Sequence, residues 1–255
     1  MCCFSKPVKS VSNTNIFARA GEGGEQFLAY SMSISARDDL AMILPLPVES
    51  GTGEKDVKFI DLKEYTEFFA DLRSGFPTEG DHALVTRGVL TAAAAPVKML
   101  EVVQVGNFEA SFVPTVKDFA RLDERFRLPT ETWEKIPGYE SYGFAVFKLK
   151  AGAMTVHPMA FSFPRKDAGS LFFPTVHIHD GKVHSKAEFD HVLYCQPHGD
   201  DHPTFEHKWV ESQGHASQFM EIGKSKGLVE ADQHCYKREM HGQLPNRDTV
   251  VKVGA

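Results

Sequence analysis

Val176-His177-Ile178-His179-Asp180-Gly181-Lys182-Val183-His184 is the stretch on which the reading of this chain turns. An Asp-Gly pair between alternating apolar residues favours a two-residue hairpin turn, because both turn positions need positive φ. With Asp180-Gly181 at the bend, His179 faces Lys182, Ile178 faces Val183 and His177 faces His184. Side chains alternate across a strand, so His177 and His179 share a face and His184 joins them from the neighbouring strand. Directly opposed residues have Cβ atoms about 4.5–5.5 Å apart. The spacing therefore predicts an antiparallel hairpin with three imidazoles within reach of one metal ion.

Eleven of the twelve histidines fall between His157 and His241. Neutral imidazole is the commonest metal ligand. Three protein ligands with one open position make a catalytic zinc site, and four closed ligands a structural one. His177, His179 and His184 supply three, and His191 or Cys195 a fourth; four residues apart, these two share a face in a strand and in a helix alike. Imidazoles with a thiolate suit copper as well as zinc, so both metals stay open. Asp180, Asp190, Asp200, Asp201 and Glu206 are carboxylates placed to orient imidazoles. The competing reading is a polar hairpin face of solvated histidines, with Lys182 among them. His202 and His207 read as solvated loop residues. His157 precedes Pro158 and sits extended, and His234 and Cys235, being adjacent, point to opposite faces of a strand.

Composition narrows the class. Apolar residues make up 42% and charged residues 24% of 255, ordinary for a globular protein. A net charge of −6 offers no basic surface to a phosphate backbone, which argues against nucleic acid. No stretch approaches the roughly 20 apolar residues of a spanning helix, and no basic lead precedes an apolar signal core. The expectation is a cytoplasmic protein with no membrane partner. Four cysteines are too sparse for a disulfide framework, and the compartment keeps them reduced.

Along the chain, strands are predicted at Gln26–Ile34, Val57–Leu62, Leu84–Leu90, Met99–Val105, Phe108–Val113, Tyr142–Leu149 and Met159–Phe163. Leu40–Val48 is an apolar run broken by Pro45 and Pro47, which suits an edge strand or strap. Tyr65, Phe68, Phe69 and Leu72 lie at helical spacing. Pro114-Thr115 opens a second helix with Val116, Phe119, Leu122 and Phe126 on its apolar side. A short helix is expected around Thr132–Lys135 and a last one around Ala216, Phe219 and Met220. Ser185-Lys186-Ala187-Glu188 is a capping box, so the segment to Cys195 reads equally as helix or strand. The tail from Val250 is expected to fray. The expected fold is α+β: mostly antiparallel sheet with three or four packed helices, in a single domain over 1–255 that admits a division near Lys150.

The N-terminus supplies a second candidate site. Removal of Met1 leaves Cys2 with a free α-amine of ordinary pKa about 7.7–8.0 beside its thiol, a nucleophile and a base on one carbon. Amine nitrogen and thiolate sulfur also form a chelate for a borderline metal. Phe4, Val8, Val11, Ile16 and Phe17 suggest that this end is tied into the core. Met1-Cys2, with Ile16-Phe17-Ala18-Arg19 as an early strand ending in arginine, resembles the cysteine amidases of the N-terminal nucleophile hydrolase superfamily. That resemblance implies Cys2 as nucleophile and Arg19 as a substrate-positioning residue. The chain departs from it in following Arg19 with Ala20-Gly21-Glu22 instead of Asn and Asp. Leu44-Pro45-Leu46-Pro47 is similar to uncharacterised bacterial domains that start with cysteine, which imply no function.

Two functions follow. The first is a transition-metal protein, read as a metalloenzyme, with zinc or copper on His177, His179 and His184 and the sphere completed by His191, Cys195, Cys2 or Cys3. Zinc-bound water would serve hydrolysis; copper with a thiolate would serve redox chemistry. The second is a metal-free amide hydrolase using Cys2 and Arg19. Either acts on a small-molecule or peptide substrate. Gly21-Glu22-Gly23-Gly24 lacks the lysine and spacing of a phosphate loop, and no GxSxG nucleophile elbow occurs.

Overall fold

A computed structural model describes residues 2–76, 103–105, 108–122, 138–179, 183–197 and 209–253. Its strands are β1 (Cys2–Phe4), β2 (Ser10–Ala20), β3 (Glu25–Ala36), β4 (Leu40–Leu46), β5 (Lys58–Asp61), β6 (Val103–Val105), β7 (Phe108–Val113), β8 (Gly143–Leu149), β9 (Gly152–Pro164), β10 (Ser170–Phe173), β11 (His177–Ile178), β12 (Lys186–Gln196), β13 (Val210–His215), β14 (His234–Pro245) and β15 (Thr249–Lys252). One α-helix, α1 (Phe68–Ser74), and 3-10 turns at Val116–Arg121, Ala216–Gln218 and Ile222–Lys224 accompany them.

Two sheets carry the fold. One has the order β11-β1-β4-β8-β7-β6, the other β13-β14-β12-β2-β3-β9-β5, and β10 pairs separately with β15. Most neighbours are antiparallel, but β12 runs parallel to β2, and β11 parallel to β1. Between the sheets lies the main core. Leu28, Tyr30, Phe161, Phe163 and Leu193 enter it from the seven-stranded sheet, and Met42, Leu44, Phe112 and Phe147 from the six-stranded one. Residues on both sides of Lys150 contribute, with the Phe147 and Phe161 rings 6.0 Å apart.

The outer faces are covered as well. Phe17, Ala29, Ala160 and Tyr194 look outward from the seven-stranded sheet onto Phe68, Phe69 and Leu72 of α1 and onto Met220 and Leu228. Cys3, Ala41, Ile43, Phe144 and Val146 look outward from the other sheet onto Phe119, Leu122 and Tyr139. This double burial explains why β4 and the second half of β2 are buried at every position. A strand covered on both faces reads as a continuous apolar run, not an alternation.

The α+β expectation is overturned. Strand makes up 54% and helix 10% of the described residues, in three sheets. The helical face at Tyr65–Leu72 is realised as α1. The segment after Pro114 closes as a 3-10 turn whose C-cap, Leu122, is already extended at φ −81°, ψ 158°. Ala216–Gln218 is likewise one tight turn, and the helix expected at Thr132–Lys135 lies outside the described residues. Ser185–Cys195 resolves as strand, because β12 gains backbone partners on both sides, β14 and β2. The strap at Leu40–Val48 is an interior strand: β4 pairs with β1 at Met42 and Ile43 and with β8 throughout. The tail expected to fray pairs as β15 with β10. The strand at Leu84–Leu90 lies outside the described residues. Among the described residues no helix is long and apolar enough to cross a membrane.

Close packing within the six-stranded sheet shows at Gly143 of β8, where a Cβ would stand 2.4 Å from Cζ of Phe112 on the neighbouring β7 and 3.2 Å from Val48 Cγ2. Phe112 is core and its ring has little room to retreat. Gly143→Ala should therefore destabilise the chain by about 1–3 kcal/mol through overpacking. A lower denaturant midpoint with unchanged slope is the expected reading.

Candidate functional site

β11 and β12 belong to different sheets, and their histidines meet where those sheets come together. His191 sits mid-strand in β12, opposite Met240 of β14 and Thr14 of β2. His177 opens β11, in register with Cys2 of β1. The pairing expected within a 177–184 hairpin is replaced by this parallel pairing with the N-terminal strand, because β11 finds backbone partners there. The turn residues Asp180, Gly181 and Lys182 lie outside the described residues.

His177 is held by the polypeptide after β14. Its N–H donates to Asn246 Oδ1 at 2.7 Å, and Asn246 Nδ2 donates back to His177 O at 2.9 Å and to His184 O at 3.0 Å. Immediately upstream, the N–H groups of Thr175 and Val176 donate to Asp248 Oδ1 at 2.9 and 3.0 Å, and the Tyr139 hydroxyl donates to Asp248 Oδ2. Thr175 Oγ1 donates to Arg247 O at 2.9 Å. Five successive hydrogen-bonding groups thus come from three residues, 246 to 248.

The imidazoles converge inside this frame. His177 Nε2 and His191 Nε2 are 3.2 Å apart. The His177 ring lies 4.9 Å from the His179 ring and 4.7 Å from that of His191. Phe189 packs on both members of the pair, at 4.6 and 5.2 Å, and Phe4 on His179 at 5.6 Å. His177 is 9% and His191 1% exposed. Burial pushes the His177 pKa down to about 3, with the neighbouring His179 adding to the effect. Burial, then the proximity of His177, pushes His191 well below the usual imidazole range. Both rings are neutral at pH 7.

His177 and His179 therefore come together as the spacing implied, but His191 takes the place expected of His184, which is exposed and outside both strands. Cys195 is four residues along β12, about 13 Å at an ordinary strand rise, within the main core. Burial raises its thiol pKa well above the ordinary value. Cys3 faces the opposite side of its sheet, with Ile178 and Ile43. Among the described residues no group of three or more His, Cys, Asp or Glu side chains is arranged to hold a metal ion. The sequence reading missed Asn246 and Asp248. The only signal was a polar Pro-Asn-Arg-Asp turn before a β-prone tail.

Arg19 is the penultimate residue of β2, and each nitrogen of its guanidinium has a partner. Nε donates to Leu228 O at 2.8 Å, Nη2 to Gly227 O at 2.6 Å and Nη1 to Ala20 O at 3.3 Å. Nη1 also meets Glu230 at 2.7 Å, and the group stacks on Phe27 at 4.2 Å. These partners pin the 227–230 loop to the sheet.

No family model matches the chain, and no curated protein does. Solved structures do. A mutated baculovirus P35 after caspase cleavage gives a TM-score of 0.50 at 12% identity, over 95% of this chain and 100% of that one. The fold resembles that of baculovirus P35. A second mutated, caspase-cleaved P35 gives 0.48 at 11% identity over 96% and 98% of the two chains. Baculovirus P35 itself gives 0.46 at 14% over 96% and 97%. At such identities the likeness is one of fold.

Two outcomes test the site's physics. Arg19→Met orphans the carbonyls of Gly227 and Leu228, so stability should fall by about 1–3 kcal/mol for each acceptor left unsatisfied, measured by urea denaturation. Unchanged stability would return Arg19 to a substrate-facing role. The second is acid lability. An unfolded histidine titrates near 6.5, and folded His177 near 3. Between these values the unfolded chain binds more protons, so stability falls as pH drops from about 6.5 towards 3. The slope approaches about 1.4 kcal/mol per pH unit for this one group. Denaturation midpoints at neutral and mildly acid pH, compared with those of His177→Phe, check it. Parallel curves would show that the ring is not shielded.

Proposed function

We propose that this chain is a protein-binding protein of the P35 type, with a cysteine protease of the caspase class as its partner. The observation that carries the reading is the fold likeness to a P35 captured after caspase cleavage, which spans nearly all of this chain and all of that one. Two features of the chain's own chemistry support a binding role. Arg19, a candidate catalytic group from the sequence, has its donors engaged by backbone carbonyls and Glu230. Cys195 and Cys235 are buried thiols, and burial pushes the pKa of Cys235 up to about 12, far from a reactive thiolate.

The architecture suits the same role. Both outer sheet faces carry buried clusters, so a partner meets the segments that join strands. Such segments on a rigid scaffold are where recognition groups concentrate. The proposal keeps the expected cytoplasmic setting, in which buried thiols such as Cys195 and Cys235 stay reduced.

Incubating the purified chain with a panel of caspases, with intact mass and turnover of a fluorogenic peptide followed together, tests this. The expected result is one backbone cut, located by mass, and turnover that falls with added chain until the two are equimolar. A chain that stays whole and leaves turnover unchanged in large molar excess overturns the reading.

A further inference from the structure

The hydrogen bond between His177 and His191 joins β11 of one sheet to β12 of the other, and it depends on the state of both rings. At 3.2 Å, Nε2–H of one neutral imidazole donates to Nε2 of the other. One added proton leaves a donor facing an acceptor. A second removes the acceptor, because a charged imidazole carries N–H on both nitrogens. Two like charges with opposed donors would then share an apolar space lined by Phe4 and Phe189. His191 Nδ1 is buried with no hydrogen-bond partner among the described residues, so charging that ring also leaves an N–H unmet there.

The surroundings add to this cost. The charges that weigh on the pair are those of His179, His241 and the N-terminal amine, all positive when charged. Arg238 lies two residues from Met240 on the same face of β14, and Arg247 is a cation within the 246–248 clamp. β2 and β14 set the neutral Thr14 and Met240 beside His191. Nearby carboxylates have other partners. Asp248 accepts from Thr175, Val176 and Tyr139. Asp190, on the opposite face of β12 with Glu188, accepts from Asn13 N–H and lies 3.6 Å from His241. Glu239 meets Lys237 and His241.

We propose that the contact between His177 and His191 is an acid-released clasp: protonation of both rings expels β11 from the seam and frees one edge of β1, while the two sheets stay folded. The weaker member yields. β11 is two residues long and pairs with β1 alone, whereas β12 is paired with β14 over ten residues and with β2 over six. Release breaks the Asn246 bonds to His177, and the Asp248 bonds to Thr175 and Val176 bound the opening on its upstream side. Segments with few partners open first, below the free energy of global unfolding. The closed form is fully favoured above the ordinary histidine pKa of about 6.5 and loses ground as pH falls towards 3. The clasp is independent of a protease partner, and either reading can fail without the other.

Amide hydrogen exchange of the full chain, followed residue by residue by NMR at pH 7 and pH 5 and corrected for the intrinsic pH dependence of exchange, provides the test. Linkage through one histidine favours opening by about twenty-five-fold between these values. Protection at His177 and Ile178 should fall by at least that factor and return at pH 7, while the amides of β3, β9 and β12 keep theirs. His177→Phe with His191→Phe, whose rings fit beside Phe4 and Phe189, should show equal protection of Ile178 at both pH values. Should that variant not fold, the wild-type pattern decides. Unchanged protection of β11 at pH 5, loss spread evenly over both sheets, or a folded double variant that opens as the wild type does overturns the proposal.

Discussion

The pairing of β12 with β2 on one side and β14 on the other is the constraint from which the rest follows. The parallel register aligns His191 with Thr14 and Gln196 with Arg19, and the antiparallel register aligns His191 with Met240. Because side chains alternate, these registers decide which residues of β12 meet the main core and which meet the outer cluster. Phe189, Leu193 and Cys195 go inward, and Tyr194 outward. A slip of one residue would exchange the two sets and drive the histidine onto the other face. At its far end, Gln196 closes the strand: its amide donates to Glu230 O, and its oxygen accepts from Glu230 N–H. The 227–230 loop is thus held by Gln196 and Arg19 together, from neighbouring strands.

The opposite end of β12 depends on a second, smaller device. Asn246, Arg247 and Asp248 lie between β14 and β15, and their polar groups bind residues 175–177 from about seventy positions away. A carboxylate that accepts two backbone N–H groups and a phenol hydroxyl substitutes for strand pairing over a stretch too irregular to pair. That clamp carries β11 towards the six-stranded sheet, where the N-terminal strand receives it. His177 and His191 therefore meet as members of different sheets, brought together by one loop. The contact is tertiary, and no local turn creates it.

This explains what the sequence made legible. Alternation or apolar runs marked β3, β4, β5, β7, β8 and β9, and the spacing of Tyr65, Phe68, Phe69 and Leu72 marked α1. These signals depend only on near neighbours. The capping box at Ser185–Glu188 is equally local, yet it lost, because helix would forfeit the two strand partners that β12 gains. Val116, Phe119 and Leu122 have helical spacing, but Leu122 is needed in extended form to cover the outer face of the six-stranded sheet. The Asp180-Gly181 signal spoke for a bend and said nothing of which strands would pair beyond it. So His177 and His179 were found together by alternation, and His191 was in view as an alternative ligand. Its place beside them instead of His184 required knowing that β11 pairs with residues 2 and 3.

Covering both faces of both sheets has a consequence for chemistry. A sandwich with one solvated face can build a pocket on that face, where titratable groups keep access to water. Here both faces of the central strands are apolar, and polar groups that enter them must be matched by other protein groups. Arg19 meets that demand with three carbonyls and a carboxylate, and Asp248 with three donors. His191 Nδ1 and the Tyr194 hydroxyl are buried without such a hydrogen-bond match among the described residues. The strand-joining segments are where a macromolecular partner is to be sought.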